Sequence, residues 1–278
     1  MPCCAEAPKL PPLLSGRRGR GAGGRVSRLY TEVVGTADLH LHTLASDGLM
    51  SGREIVDHVE QQTSLDVIAI TDHDETTASL EARECATRNG YRVQVIPGVE
   101  VTTRDGHLLA LFVEERPPAL RGLQQTAEWV AQRGGLCIAP HPFTRWTHSL
   151  NHRALGSAVA DGLIAGVEVL NASLAGRGSR QRALVLASQH GLAEIGSSDA
   201  HMLCMVGLAY TQFDGRTPED LRQAILAGAT RPEGRFATPR EMASEAIPQL
   251  ARSMVHLPLW RVVRYARSRR VNRARQAS

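Results

Sequence analysis

From residue 31 to about 230, short apolar or β-branched runs alternate with segments whose apolar positions recur at helical spacing. The strand-like runs are 33–41, 66–71, 93–101, 107–113, 136–140, 166–171, 193–197 and 206–213. Helical periodicity falls near 51–62, 77–89, 120–133, 178–190 and 217–228. Ser51 followed three residues later by Glu54 predicts a capping box at the start of the first helix. Thr217 ahead of Pro218 predicts a capped start for the last, with proline at the first helical position. Strand–helix alternation at this spacing predicts parallel βα units. Seven or eight strands favour an α/β barrel, closed or nearly so, over two domains. The open doubly wound sheet is the competitor, but no G-x-G-x-x-G follows any strand.

The flanks differ from this middle. Residues 1–30 are rich in Pro, Gly and Arg with little periodicity, which predicts a disordered basic tail. Residues 31–231 form the barrel domain. Residues 232–278 read as a second basic tail, with a possible amphipathic helix at 257–271. The formal net charge of +4 hides this division. With +5 at residues 1–30 and +8 at 252–278, the middle, 31–251, is left at about −9. An acidic middle suits a site that gathers cations. The chain has five cysteines (3, 4, 85, 137 and 204) and no C-x-x-C, so neither a disulfide framework nor a zinc knuckle is expected. No apolar run approaches the ~18 residues of a membrane span, and no leader-like apolar region is seen, so a cytoplasmic protein is expected.

The strand ends carry the chemistry, because reactive groups of a βα barrel sit where strands give way to loops. The first run ends in "DLHLHT" and "SDG", with His40, His42 and Asp47. The second ends in "TDHD", with His73; the third in "PGVE", with Glu100. "GHLLALF" opens with His107, "PHP" contains His141, and "SDAH" holds Asp199 and His201. Residues i and i+2 of a strand face one side, roughly 6–7 Å apart at Cα. His40 and His42 can therefore reach one ion at about 2.0–2.1 Å. Neutral imidazoles with carboxylates suit Zn, Mn or Fe rather than a thiolate-loving metal.

Taken in this order, the motifs resemble those of the PHP (polymerase and histidinol phosphatase) phosphoesterases, over about residues 36–230. The resemblance implies a distorted (β/α)7 barrel holding two to three divalent ions in a cleft at the strands' C-terminal rim. It implies that His40, His42, Glu100 and Asp199 hold the first ion. Glu100 would bridge to a second completed by His107 and His141, and Asp47, His73 and His201 would hold a third. His40, His42, Glu100, Asp199 and His201 would form the catalytic set. The implied activity is hydrolysis of a phosphate ester by a metal-activated hydroxide, on nucleotides, short oligonucleotides or another phosphorylated small molecule. Histidinol phosphate remains an alternative substrate.

Around this set, Arg145 could contact phosphate, in competition with a solvated loop role. Asp38 and Asp72 either fix imidazole tautomers or cap turns. Asn171 could face the cleft, whereas His58, His148, His152 and Glu168 receive no site role. Amidohydrolases and deaminases also place H-x-H on a barrel strand. Those bridging two metals with a carboxylated lysine are excluded, since Lys9 is the only lysine and lies in the expected tail. Mononuclear deaminases leave Asp47, Glu100 and His107 unexplained. A third alternative is contact of the arginine-rich 252–278 segment with nucleic acid or an anionic surface.

Overall fold

Each predicted strand is present within a few residues in the computed structural model, which describes residues 33–118, 120–144, 147–243 and 246–256. They are β1 (Val34–Leu41), β2 (Val67–Ile70), β3 (Gln94–Thr103), β4 (Gly106–Leu111), β5 (Leu136–Ala139), β6 (Gly166–Asn171), β7 (Ala193–Ser197) and β8 (Ala209–Asp214). A ninth, β9 (Arg231–Gly234), follows. The predicted helices are α1 (Gly52–Gln62), α2 (Thr77–Asn89), α3 (Leu123–Gln132), α5 (Arg180–His190) and α6 (Pro218–Leu226), with α4 (His152–Ala160) added between α3 and α5. The capping box at Ser51 is formed, and Thr217 makes a second with Asp220. Beyond residue 231 lie α7 (Pro239–Ala243), α8 (Ala246–Ala251) and a short π turn at Arg252–His256, so regular structure continues past the expected domain end. The 1–30 tail and the 257–271 helix candidate lie outside the described residues.

The strands form one sheet in the order β7-β6-β5-β4-β3-β2-β1-β8-β9. Its first and third segments obey the parallel expectation: β1–β2–β3 and β5–β6–β7 pair in parallel. β4 breaks it, pairing antiparallel with both β3 and β5. Only Arg104 and Asp105 separate β3 from β4, and two residues can join antiparallel strands alone. β8 also runs antiparallel to β1 and to β9.

The sheet curls until β7 meets β1. Just past the strands, Leu41 and Ala200 form a parallel bridge; the His42 amide donates to the Ala200 carbonyl at 2.9 Å, and the Ala200 amide to the His40 carbonyl at 3.2 Å. Between β7 and β8 a side chain replaces the ladder. Thr211 Oγ1 donates to the Gly196 carbonyl at 2.8 Å and accepts from its amide at 3.0 Å. Gly196 is required there, since a Cβ would stand 2.3 Å from the Tyr210 carbonyl oxygen.

Three apolar clusters support this ring. One takes Ala37, Leu39, Val67, Ala69, Ile96, Leu109, Leu111, Ile138, Ile195 and Phe213 from seven strands, with Leu221 and Ile225 of α6 packed on it. Because it joins strands all round the sheet, it fills the inside. A second packs β3–β6 against α3, α4 and α5, and a third packs β1–β3 against α1 and α2. Among the described residues no helix is long and apolar enough to cross a membrane.

The inner cluster sets the stability of the ring. Leu109, fully buried in it, is expected to cost about 3 kcal/mol when replaced by alanine. A denaturant midpoint unchanged in Leu109→Ala would show that this cluster is not the core.

Candidate metal centre

At the rim where β1 ends, the chain is fixed before any site chemistry begins. Between β1 and β2 the register slips: Asp38 faces Ile68 but Leu41 faces Ile70, so β1 carries an extra residue. A second slip lies in β6 between Glu168 and Leu170. Such bulges re-aim side chains and cluster beside active sites. The loop after β1 is tied to Asp72, which accepts from the Thr43 amide at 2.7 Å, from the Thr43 hydroxyl at 2.6 Å and from the Ser46 hydroxyl. Asp38 accepts from the amides of Ser198 (3.0 Å) and Gly207 (2.9 Å), tying the loop after β7 to β1. Neither carboxylate bonds an imidazole nitrogen, so of the two open readings the turn-tying one holds. Burial pushes the Asp38 carboxyl up to about 6.

Onto this frame the chain brings all nine predicted side chains. His40 Nε2 and His42 Nε2 each lie 3.3 Å from Glu100 Oε2 and 3.4 Å from Asp199 Oδ1. A tetrahedral site with bonds of about 2.0–2.1 Å has edges of about 3.3–3.4 Å. The four nitrogen–oxygen edges among these atoms stand at that spacing. The other oxygen of Glu100, Oε1, lies 2.8 Å from His107 Nδ1 and 3.1 Å from His141 Nε2. Around Asp47 Oδ1 are His201 Nε2 at 3.3 Å, His42 Nδ1 at 3.7 Å and His73 Nε2 at 3.8 Å. His73 Nδ1 in turn lies 3.2 Å from Glu100 Oε2. The imidazole rings of His42 and His201 stack at 4.3 Å. Five overlapping sets within this group have donor atoms close enough to share an ion. Buried His42 Nε2, His73 Nδ1 and His107 Nδ1 face carboxylate oxygens at 2.8–3.4 Å without making a well-aligned hydrogen bond to them. Inward-facing nitrogens left bare beside carboxylates are what a cation site requires, and these residues fit one.

Burial disfavours charge on every member, and the partners decide the outcome. For Asp199 and Glu100, burial raises the pKa, but the imidazoles (His40 for Asp199, His73 and His107 for Glu100) overcome it and hold both carboxyls well below their usual range. Asp47 is likewise held low against burial, by His201 and His73. His40 is burdened by burial yet raised well above its ordinary value by Asp199, Glu168 and Glu100. For His73 burial wins, and its pKa falls well below normal. The carboxylates are thus ionised and grouped, which is the electrostatic condition for collecting cations.

Several partners were not assigned from sequence. Glu168, given no site role above, is buried with Oε1 2.8 Å from His40 Nδ1, and Oε2 accepts from the His141 amide at 2.6 Å. It also takes the Ser197 hydroxyl. It fixes the ring of His40 so that Nε2 faces Glu100 and Asp199. An acid inside the apolar run "GVEVLN" was the available signal. Asn171 does face the cleft, donating to Glu168 Oε2 at 2.9 Å and Asp199 Oδ2 at 3.2 Å. Thr147 Oγ1 lies 3.0 Å from His141 Nδ1, and His201 Nδ1 lies 3.0 Å from the Asp199 carbonyl. His141 and Asp199 have positive φ, 29° and 52°, an uncommon conformation for non-glycine residues that the surrounding hydrogen bonds must hold. His148 stands edge-on to His107 and its carbonyl accepts from the His107 amide at 2.8 Å, while His152 stacks on Phe143. Arg145 lies outside the described residues.

Comparison with known proteins shows the family and the fold. A profile described as PHP domain matches residues 38–189, and one described as PHP-associated matches 177–230. An uncharacterized protein of Methanocaldococcus jannaschii is 33% identical over 147 residues, covering 49% of this chain and 81% of that protein. The 5'-3' exoribonuclease Rnm of Salmonella typhimurium is 40% identical over 104 residues, 36% of this chain and 35% of the enzyme. This chain therefore spans about a third of that exoribonuclease. In fold it resembles a two-domain protein of Bacteroides vulgatus described as containing a PHP-like metal-dependent phosphoesterase. The TM-score is 0.63 at 20% identity, covering 79% of this chain and 70% of that one.

The site loop itself is testable. A Cβ on Gly48 would lie 2.3 Å from the His42 carbonyl oxygen and 2.8 Å from the Thr43 amide nitrogen, both backbone. Gly48→Ala is expected to cost about 2 kcal/mol in urea unfolding. Wild-type stability would mean that the 43–48 loop is free to shift.

Proposed function

The chain belongs to the PHP-domain family, and from that premise we propose that it is a metal-dependent phosphoesterase acting on nucleotides or short oligonucleotides. One observation carries the reading: the two oxygens of buried Glu100 face different donor groups. Oε2 faces His40, His42 and His73, and Oε1 faces His107 and His141. A carboxylate so divided is placed to bridge two ions. In this reading His40, His42, Glu100 and Asp199 hold one divalent ion, and Glu100, His107 and His141 a second. Asp47, His73 and His201 hold a third. The donor set suits Mn, Zn or Fe.

Such ions, when bound, supply an activated water at neutral pH and neutralise charge on a phosphoryl group. The chain's own residues prepare the place. Glu168 and Thr147 aim the rings of His40 and His141. Asn171 occupies Asp199 Oδ2, leaving Oδ1 toward the two imidazoles. The apolar inner cluster fills the ring from seven of its strands. His201 is the most exposed of the nine donors, with 17% of its side chain accessible, and marks the mouth. The nucleotide preference is supported by similarity to an exoribonuclease.

Metal analysis of purified protein, followed by a phosphoester panel, tests the proposal. The panel holds a nucleoside 3',5'-bisphosphate, 5'-phosphorylated short RNA and histidinol phosphate. Turnover of either of the first two with Mn present is expected. His42→Ala and Glu100→Ala are each expected to lower kcat/KM by about 10³-fold, some 4 kcal/mol, with circular dichroism unchanged. Metal-free protein that hydrolyses nothing after Mn addition, or full activity in both variants, would remove the reading.

A further inference from the structure

We propose that the C-terminal segment is part of the site, with Ser253 a positioning residue for Asp47. Asp47 uses its two oxygens differently. Oδ1 faces His201, His42 and His73, whereas Oδ2 accepts from the Ser253 hydroxyl at 2.6 Å, across 206 positions of chain. The hydroxyl's direction is set from behind. Gln249 Nε2 donates to Ser253 Oγ at 2.8 Å, filling an acceptor position, so the hydroxyl proton goes to Asp47. Arg252 clamps the same loop, its Nη2 donating to the carbonyls of Leu44 (2.8 Å) and Ser46 (3.1 Å). Two residues of one helical stretch, Arg252 and Ser253, thus grip the loop that carries Asp47, with Gln249 behind them, and a neutral donor on Oδ2 turns Oδ1 to the imidazoles.

Partners of this kind orient a ligand, and their loss typically weakens metal binding by roughly 10–100-fold. The inference rests on the metal-site reading proposed above. It predicts that the segment selectively secures the ion at Asp47, His73 and His201.

The test is Mn²⁺ titration of the full chain, read by electron paramagnetic resonance of the free ion, with Ser253→Ala and Ser253→Thr. In Ser253→Ala one binding step is expected to weaken by roughly 10-fold, the lower end of that range, while the other steps hold. Ser253→Thr, which keeps the hydroxyl, should restore wild-type binding. An isotherm for Ser253→Ala that superimposes on wild type would overturn the role of Ser253 and leave the metal reading standing. Equal weakening of every step would likewise overturn it, as general loosening. Wild-type protein that binds no Mn²⁺ would overturn both.

Discussion

A carboxylate buried as deeply as Glu100, with 1% of its surface accessible, is held in place by whatever compensates its charge. An ionised group in a desolvated interior is costly unless it is paired and hydrogen-bonded. Here compensation comes from five imidazoles carried on four other strands or strand ends: His40 and His42, His73, His107 and His141. No two consecutive elements of the chain could supply them. In the sheet β1, β2, β4 and β5 flank β3 on its two sides, which brings their ends to Glu100. Glu100 thus ties the five central strands together at the rim, while the apolar clusters hold the ring below.

The fold meets that requirement by separating two tasks along the barrel axis. Below, Leu39, Val67, Leu109, Ile138 and Ile195 fill the interior in ordinary alternation. Above, alternation is broken on purpose. The slip in β1 falls between Asp38 and Leu41, the interval that holds His40, and the slip in β6 begins at Glu168. Those two irregular strands meet through the His40–Glu168 bond, so each bulge aims one partner of the same pair. Backbone departures follow the same map, with His141 and Asp199 both at positive φ at the rim. Regular sheet gives stability, and its interruptions give the site.

This division decides what could be read in the sequence. Strands such as β2 and β5 are continuous apolar runs, and helices such as α1 and α6 announce their starts with Ser51 and Thr217, so both were legible. The ligand-competent residues at strand ends were legible too, because strand ends are where such groups recur. What escaped depended on long-range partners. β9, with the sequence Arg-Pro-Glu-Gly, has no apolar pattern and exists because β8 offers it an edge. α4 carries a glycine and is absent from the predicted helices, although Asn151 caps it by accepting from the Ala154 amide. The β3–β4 hairpin was signalled by Asp105-Gly106 but masked by the alternation around it. Glu168 was passed over because its partner lies 128 residues away. Register slips leave no local trace at all.

The placement of acids also bears on what the cleft would bind. Asp47, Glu100, Glu168 and Asp199 face the imidazole cluster. Asp38, Asp72 and Asp74 are just as buried, yet each is committed to backbone amides: of Ser198 and Gly207, of Thr43, and of Thr102. That choice matters for charge. In the three-ion reading, six positive charges stand against four carboxylates, and the excess favours a phosphate dianion in a low-dielectric cleft. Turning Asp38 and Asp72 inward would bring the count to six and cancel the excess. The acidic middle of the chain is therefore not uniformly a cation trap. Part of it binds loops, and in the three-ion reading the remainder would hold cations and still present a positive face.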